Sequence, residues 1–303
     1  TDRGDLSVLP YDEFSMFADN AAEAGLPYHG PPTVTRRAVE VAPGRSLSAL
    51  VWGEAVPEAV LVHGSAQNAH TFDTTALALQ RPLIALDLPG HGHSDGPDPA
   101  GGTAVTALAA DVAVAVRALA PTARVVVGMS LGGLTALALA ATAPALVPAL
   151  VLVDITPGVT SEKARAITEF VQGPATFPSF DELLARTMAF NPTRSEASLR
   201  RGILHNAVQL DDGSWMWRYR RHAVPEHSTP PDRAWLWEAL AGFAGPVLLV
   251  RGTRAGSVVD DDDEARFLAT ARHGTVARVD AGHSVQGDQP VELARLIAGV
   301  LGG

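Results

Sequence analysis

Seven short runs of apolar, largely β-branched residues recur along the chain: "ALVWG" (49–53), "AVLVHG" (59–64), "RPLIALDLPG" (81–90), "ARVVVGMS" (123–130), "ALVLVDITPG" (149–158), "GPVLLVRG" (245–252) and "GTVARVDAGH" (274–283). Their near-continuous apolarity, without in/out alternation, predicts strands covered on both faces and hence a mostly parallel sheet. Between them, segments 104–120, 131–142, 261–271 and 288–301 are rich in alanine and leucine and of helical length. This β-α-β-α rhythm predicts an α/β fold. It breaks once, from Val159 to Ala244, where helices with polar faces and aromatic anchors are expected ("ITEFVQ", "FDELLARTMAF", "SEASLRRGILHNAV", "RAWLWEAL") and no strand-like run is seen. That interval is too long for a connection and too apolar for a disordered linker, so it reads as a helical cap inserted into a core formed by residues 34–158 and 245–303. Residues 1–33 form an N-terminal extension without clear periodicity, closed by "GPP" at 30–32.

Composition narrows the function. A chain of 303 residues, 47% hydrophobic, has enough material for one large core with an insertion. With no cysteine, disulfides, thiolate metal sites and a cysteine nucleophile are excluded. Against 23 Lys and Arg stand 33 Asp and Glu, a net charge of −10, which repels a phosphate backbone and argues against nucleic acid as a partner. No apolar run approaches the roughly 18 residues of a membrane span. The start, "TDRGDLSVLPYDEFSMF", lacks the basic and apolar regions of a signal peptide. A soluble, cytoplasmic protein is expected.

The chemistry centres on Gly128-Met129-Ser130-Leu131-Gly132, a G-x-S-x-G pattern between a buried strand and a helix. That context is what a nucleophile elbow requires: the turn is so tight that the residues two before and two after the serine must lack side chains. The helix beginning at Leu131 would aim free N–H groups and its positive dipole end at a developing oxyanion. A serine at its free pKa is inert, so a base and an orienting acid are expected downstream. Of the ten histidines, His205, His222 and His227 lie in the cap and His273 at a helix end, where structural roles are expected. His283 follows an apolar strand near the C-terminus and opens the loop "DAGHSVQGDQP"; it is the expected base. The usual place for the acid, just past "PVLLVRG", holds Thr253-Arg254-Ala255-Gly256 and no carboxylate. Asp260 and Asp261 read as an N-cap and first helical turn. Asp154, closing the buried strand "ALVLVD", is the expected acid, with Asp260 or Asp261 in reserve. After "AVLVHG", the backbone N–H of Ser65, or alternatively Ala66, can join that of Leu131 in a two-donor oxyanion hole. His63 and Gly64 are expected to shape this loop, and Gln67, Asn68 and His70 to cap a helix start or touch substrate.

With the elbow, the HG loop, "LDLPGHGHSDGP" and the late "AGHSVQGDQP" in this order, the chain resembles the α/β-hydrolase superfamily over residues 35–303. It looks most like the branch of small esterases and thioesterases with the acid after the sixth strand, where a "VDI-P" segment follows the elbow; here Asp154 lies 24 residues beyond Ser130. The resemblance implies an eight-stranded, mostly parallel sheet flanked by helices, a lid over the pocket, and hydrolysis without a cofactor. Cleavage of an ester or thioester of a small-to-medium, apolar acyl substrate is expected, with a lactonase or C–C bond hydrolase as alternatives on the same triad. Phe170, Phe177, Phe190, Trp215, Trp217, Trp235 and Trp237 are available to line the pocket or to anchor the cap. Arg200, Arg201, Arg218, Arg220 and Arg221 read as cap surface, with one of them a candidate for a substrate carboxylate. Two rivals are weighed. His91, His93 and Asp95 imitate the H-x-H-x-D of zinc hydrolases, but Gly96 stands where a further histidine is normally needed, so no metal is expected. The same fold can also serve as a receptor or other non-catalytic ligand-binding protein.

Overall fold

The computed structural model describes residues 11–98, 104–220 and 233–302; His222, His227 and Arg221 lie outside them. The first half of the chain runs α1 (Phe17–Glu23), β1 (Val34–Ala42), β2 (Arg45–Trp52), β3 (Ala59–Val62), α2 (Asp73–Leu79), β4 (Leu83–Leu86), α3 (Val105–Leu119), β5 (Val125–Met129), α4 (Leu131–Thr142) and β6 (Leu150–Val153). Between β6 and the next core strand come α5 (Arg165–Val171), β7 (Thr176–Phe177), α6 (Phe180–Phe190), α7 (Glu196–Asn206), β8 (Ala207–Gln209), β9 (Trp215–Trp217) and α8 (Ala234–Gly242). The chain closes with β10 (Val247–Gly252), α9 (Asp261–Thr270), β11 (Gly274–Val279), α10 (Val285–Asp288) and α11 (Pro290–Gly302).

Eight strands form one sheet in the order β1-β2-β4-β3-β5-β6-β10-β11. Only β2 runs antiparallel to its neighbours β1 and β4; the other pairs are parallel. Alternate residues of each strand face opposite sides. Val60, Val62, Val126, Leu150, Leu152 and Leu249 join one buried cluster with α3, α4 and α8. Their neighbours Ala59, Leu61, Val125, Val127, Val151 and Val250 join another with α1, α2 and α11. Both faces being covered, polar residues have no place in the run, and each buried valine or leucine contributes roughly 1.5–3 kcal/mol. β1, "VTRRAVEVA", differs: it is an edge strand with no fully buried residue, which is why its sequence lacks the continuous apolar signal.

The inserted segment departs from the all-helical expectation. It carries a three-stranded antiparallel sheet in the order β7-β9-β8, whose strands of two or three residues are too short to show a period of two. It has its own apolar cluster, built on Leu183, Leu199, Ile203, Trp215 and Trp217. α8 instead packs into the main core through Leu236, Trp237 and Leu240.

Residues 11–33 of the N-terminal extension are tied down. Phe17 is buried against Trp52, ring centroids 5.0 Å apart. Glu13 accepts hydrogen bonds from Arg36 and pairs with His70 at 3.1 Å. Among the described residues no helix is long and apolar enough to cross a membrane.

Candidate active site

β5 ends at Met129 and α4 begins at Leu131, so Ser130 alone makes the turn, with φ +51° and ψ −118°. Such a backbone costs on the order of 1–3 kcal/mol and persists only where the surroundings enforce it. The surroundings here are mostly backbone. A Cβ on Gly128 would fall on the Gly132 carbonyl oxygen, one on Gly132 on the Val62 carbonyl oxygen, and one on Gly133 on the Ile155 side chain. The glycines therefore let α4 press against β3, β5 and the end of β6. The Gly133 and Leu134 amides donate to the Ser130 carbonyl (2.9 and 3.1 Å), whereas the amide at the first helical position, that of Leu131, has no intrahelical acceptor and can serve a ligand.

Asp154 is fully buried at the end of β6, the strand beside β5, with φ +47°. Its Oδ1 accepts from the Gly252 amide (2.9 Å) and the Ser257 hydroxyl (2.6 Å), and its Oδ2 from the Val258 amide (3.0 Å). The fourth donor is His283 Nδ1, 2.9 Å from Oδ2. Four donors offset the cost of burying a carboxylate. The loop after β10 thus lacks an acid of its own and supplies donors to the acid of β6. Gly252 also lets the His283 loop approach: a Cβ there would stand 2.6 Å from the carbonyl oxygens of Ala281 and Gly282.

An imidazole that donates from Nδ1 presents Nε2 as the acceptor. His283 Nε2 is buried and takes no hydrogen-bond partner, so it is not bonded to Ser130 Oγ. Ser130 and His283 nevertheless line one cavity of about 1130 Å³, and such contacts are commonly long before substrate tightens them. The reserve acids are spent elsewhere. Asp260 caps α9 through the Asp263 amide (2.9 Å) and pairs with Lys163 at 2.6 Å, and Asp261 is exposed and pairs with Arg251 at 2.7 Å.

Ser65 and Ala66 both line the cavity, but the Ala66 amide already donates to His91 Nε2 at 3.1 Å. His91 faces the Pro89 carbonyl with its other nitrogen, and Asp95 accepts from the Ser46 amide at 2.8 Å. The zinc-like motif is therefore folded into loop contacts. His63 is wholly buried, accepts from the Leu88 amide (2.9 Å) and faces the Gly64 carbonyl (2.7 Å); burial pushes its pKa down. Gln67, Asn68 and His70 line the cavity, and Asn68 also caps the turn at Ala69–Phe72.

Behind the loop of Ser65 lies an ionic network with no local signature in the sequence. Asp87, fully buried, accepts from Arg36 (2.8 Å), the Ala69 amide (2.7 Å) and the His93 amide (3.1 Å). Burial would raise its pKa, but Arg36 and the other donors hold it below the usual carboxylate range. Burial likewise pushes His70 down, yet Asp73 (2.8 Å) and Glu13 lift it to about 9. His70, Asp73 and His205 bring their ligand atoms within 4.8 Å of one another. These side chains are already tied to one another and to the N-terminal extension: His70 bonds Asp73 (2.8 Å) and Glu13 (3.1 Å), and Tyr11 bonds His205.

Of the aromatic residues, Phe170, Phe190 and Trp217 line the cavity. Phe177 and Trp215 belong to the insertion's own cluster, and Trp235 and Trp237 to the core.

Residues 59–296 match the alpha/beta hydrolase family. The chain belongs to that family. It is 44% identical over 305 residues, 98% of each chain, to Esterase Rv0045c of Mycobacterium tuberculosis. The crystal structure of that esterase superposes with a TM-score of 0.85 at 41% identity, covering 98% of this chain and 100% of the other. A further relative is the sn-1-specific diacylglycerol lipase ABHD11 of Xenopus laevis, 32% identical over 80% of this chain and 78% of its own.

Proposed function

We propose that Ser130, His283 and Asp154 carry the ester-cleaving chemistry of this chain through an acyl-enzyme. That the chain is an ester hydrolase follows from its family and from 44% identity, over nearly its whole length, to an esterase. Ser130 Oγ attacks the acyl carbonyl while His283 Nε2 takes its proton and then returns it to the leaving oxygen. Asp154 holds the imidazole through Nδ1 and stabilises the imidazolium. The amides of Leu131 and Ser65 stabilise the oxyanion, each contributing on the order of 3 kcal/mol in the transition state. Water then attacks the acyl-serine, with His283 as base, and releases the acid. The observation that carries this reading is the buried Asp154–His283 hydrogen bond at the strand ends beside a serine held at positive φ. Phe170, Phe190 and Trp217 give the cavity the apolar wall of a small-to-medium acyl pocket.

Intact-mass analysis after treatment with a small fluorophosphonate tests the nucleophile. One adduct on the wild type and none on Ser130→Ala is expected; an adduct that survives in Ser130→Ala, or a wild type that stays unlabelled while cleaving esters, would overturn it.

A further inference from the structure

Among the described residues, five Asp, Glu, Lys or Arg side chains line the cavity: Glu23, Arg194, Arg201, Arg254 and Asp288. Four of them are spoken for. Arg201 pairs with Glu23 and donates to Asn20 Oδ1 at 2.7 Å. Arg254 is bonded to Asp280 at 2.9 and 3.0 Å, and Asp288 accepts from the Gly282 amide at 2.8 Å and lies 3.8 Å from Arg254.

Arg194, in the connection between α6 and α7, is different. Its Nη2 donates to Ser198 Oγ at 2.6 Å, its Nε is buried without a partner, and among the described residues no carboxylate lies within ion-pair distance. The guanidinium reaches the loop that carries His283. A Cβ on Gly287 would stand 2.8 Å from Arg194 Nη1, so the approach depends on the absence of a side chain there. Burial lowers the Arg194 pKa, with Asp288 and Glu23 too weakly coupled to restore it, but a guanidinium stays charged at any working pH. In a chain of net charge −10, an unpaired cation in the wall of the substrate cavity calls for an anion from outside.

We propose that Arg194 is a substrate-recognition residue whose guanidinium binds a carboxylate carried by the substrate, so that preferred substrates are esters that also bear a free carboxylate. The fork of N–H donors matches a carboxylate edge. A phosphate dianion fits less well, since it would need a second free cation and both other arginines of the cavity are paired. The inference rests on the reading of Ser130 as the nucleophile.

Two matched ester pairs test it: the 4-nitrophenyl monoester of glutarate against its methyl-capped form, and 4-acetoxybutanoate against its methyl ester. They place the carboxylate on the acyl side and on the alcohol side. In at least one pair the wild type should favour the anionic member in kcat/KM by about tenfold or more, a preference that shrinks as salt rises. Arg194→Gln should collapse that ratio and Arg194→Lys restore part of it. Calorimetric binding of the same uncleaved esters to Ser130→Ala, with and without Arg194→Gln, reads recognition independently of turnover. Esters cleaved with equal preference in both pairs, or a preference that persists in Arg194→Gln, would overturn the role of Arg194. Esters left uncleaved, but bound in an Arg194-dependent way, would instead overturn the catalytic reading.

Discussion

The strand ends of the core and the described part of the insertion, residues 159–220, line one cavity and are built differently. At the strand ends the backbone itself is packed: α4 lies against β3 and β5 so closely that Gly128, Gly132 and Gly133 have no room for a methyl group. In the insertion the exposed Gly202 of α7 is open, with nothing within 4 Å of where its Cβ would stand. The first arrangement holds the backbone around Ser130 in close register, as the proposed proton transfer and oxyanion binding would need. The second lines the cavity with aromatic and charged side chains, among them Phe170, Phe190, Arg194 and Trp217. Close backbone packing on one side of the cavity and side chains on the other lead to separate expectations.

Gly132→Ala should give the largest effect. Its Cβ would collide with the Val62 and His63 carbonyls, so the variant should lose about 3 kcal/mol or more of stability in urea denaturation; a loss below about 1 kcal/mol would mean the elbow is not packed as described. The network behind the Ser65 loop should come next. His70, lifted to about 9 in the folded protein, contributes stability that is fully present below its unfolded pKa and lost as pH rises toward 9. Wild type should therefore exceed His70→Gln by a few kcal/mol near pH 6, the gap closing by about pH 10; a gap that widens with pH would refute the assignment. The smallest effect belongs to the insertion: Gly202→Ala should stabilise by about 0.5–1 kcal/mol through helix propensity alone. A marked loss there would show that the two regions do not differ in packing.

Most of the sheet was legible because strands buried on both faces write themselves as unbroken apolar runs, and because the elbow compresses its constraint into five adjacent residues. The hydrogen bond between Asp154 and His283 follows the sequence reading, which started from an absence, the missing carboxylate after β10, and from a polar residue closing a buried strand; the role of Asp154 as acid remains the proposal. What stayed hidden has physical reasons. β1 is an edge strand, so "VTRRAVEVA" mixes polar and apolar positions. The two- and three-residue strands of the insertion have no measurable period. Arg36 meets Glu13 and Asp87 across 23 and 51 residues of chain, and Ser257 reaches Asp154 across 103. Contacts so distant leave no spacing to read. In the extension, α1 is only seven residues long and its buried face, Phe17, Asn20 and Ala21, includes a polar residue, so no apolar period stands out.

The central claim is that one buried carboxylate, Asp154, orients His283, and it is tested most directly by kcat of Asp154→Asn beside Asp260→Asn and Asp261→Asn. Asparagine at 260 can still cap α9, and position 261 is exposed, so both should stay within about threefold of wild type, while Asp154→Asn should fall by about 10⁴. Near-wild-type turnover in Asp154→Asn, with activity abolished at 260 or 261, would contradict the account.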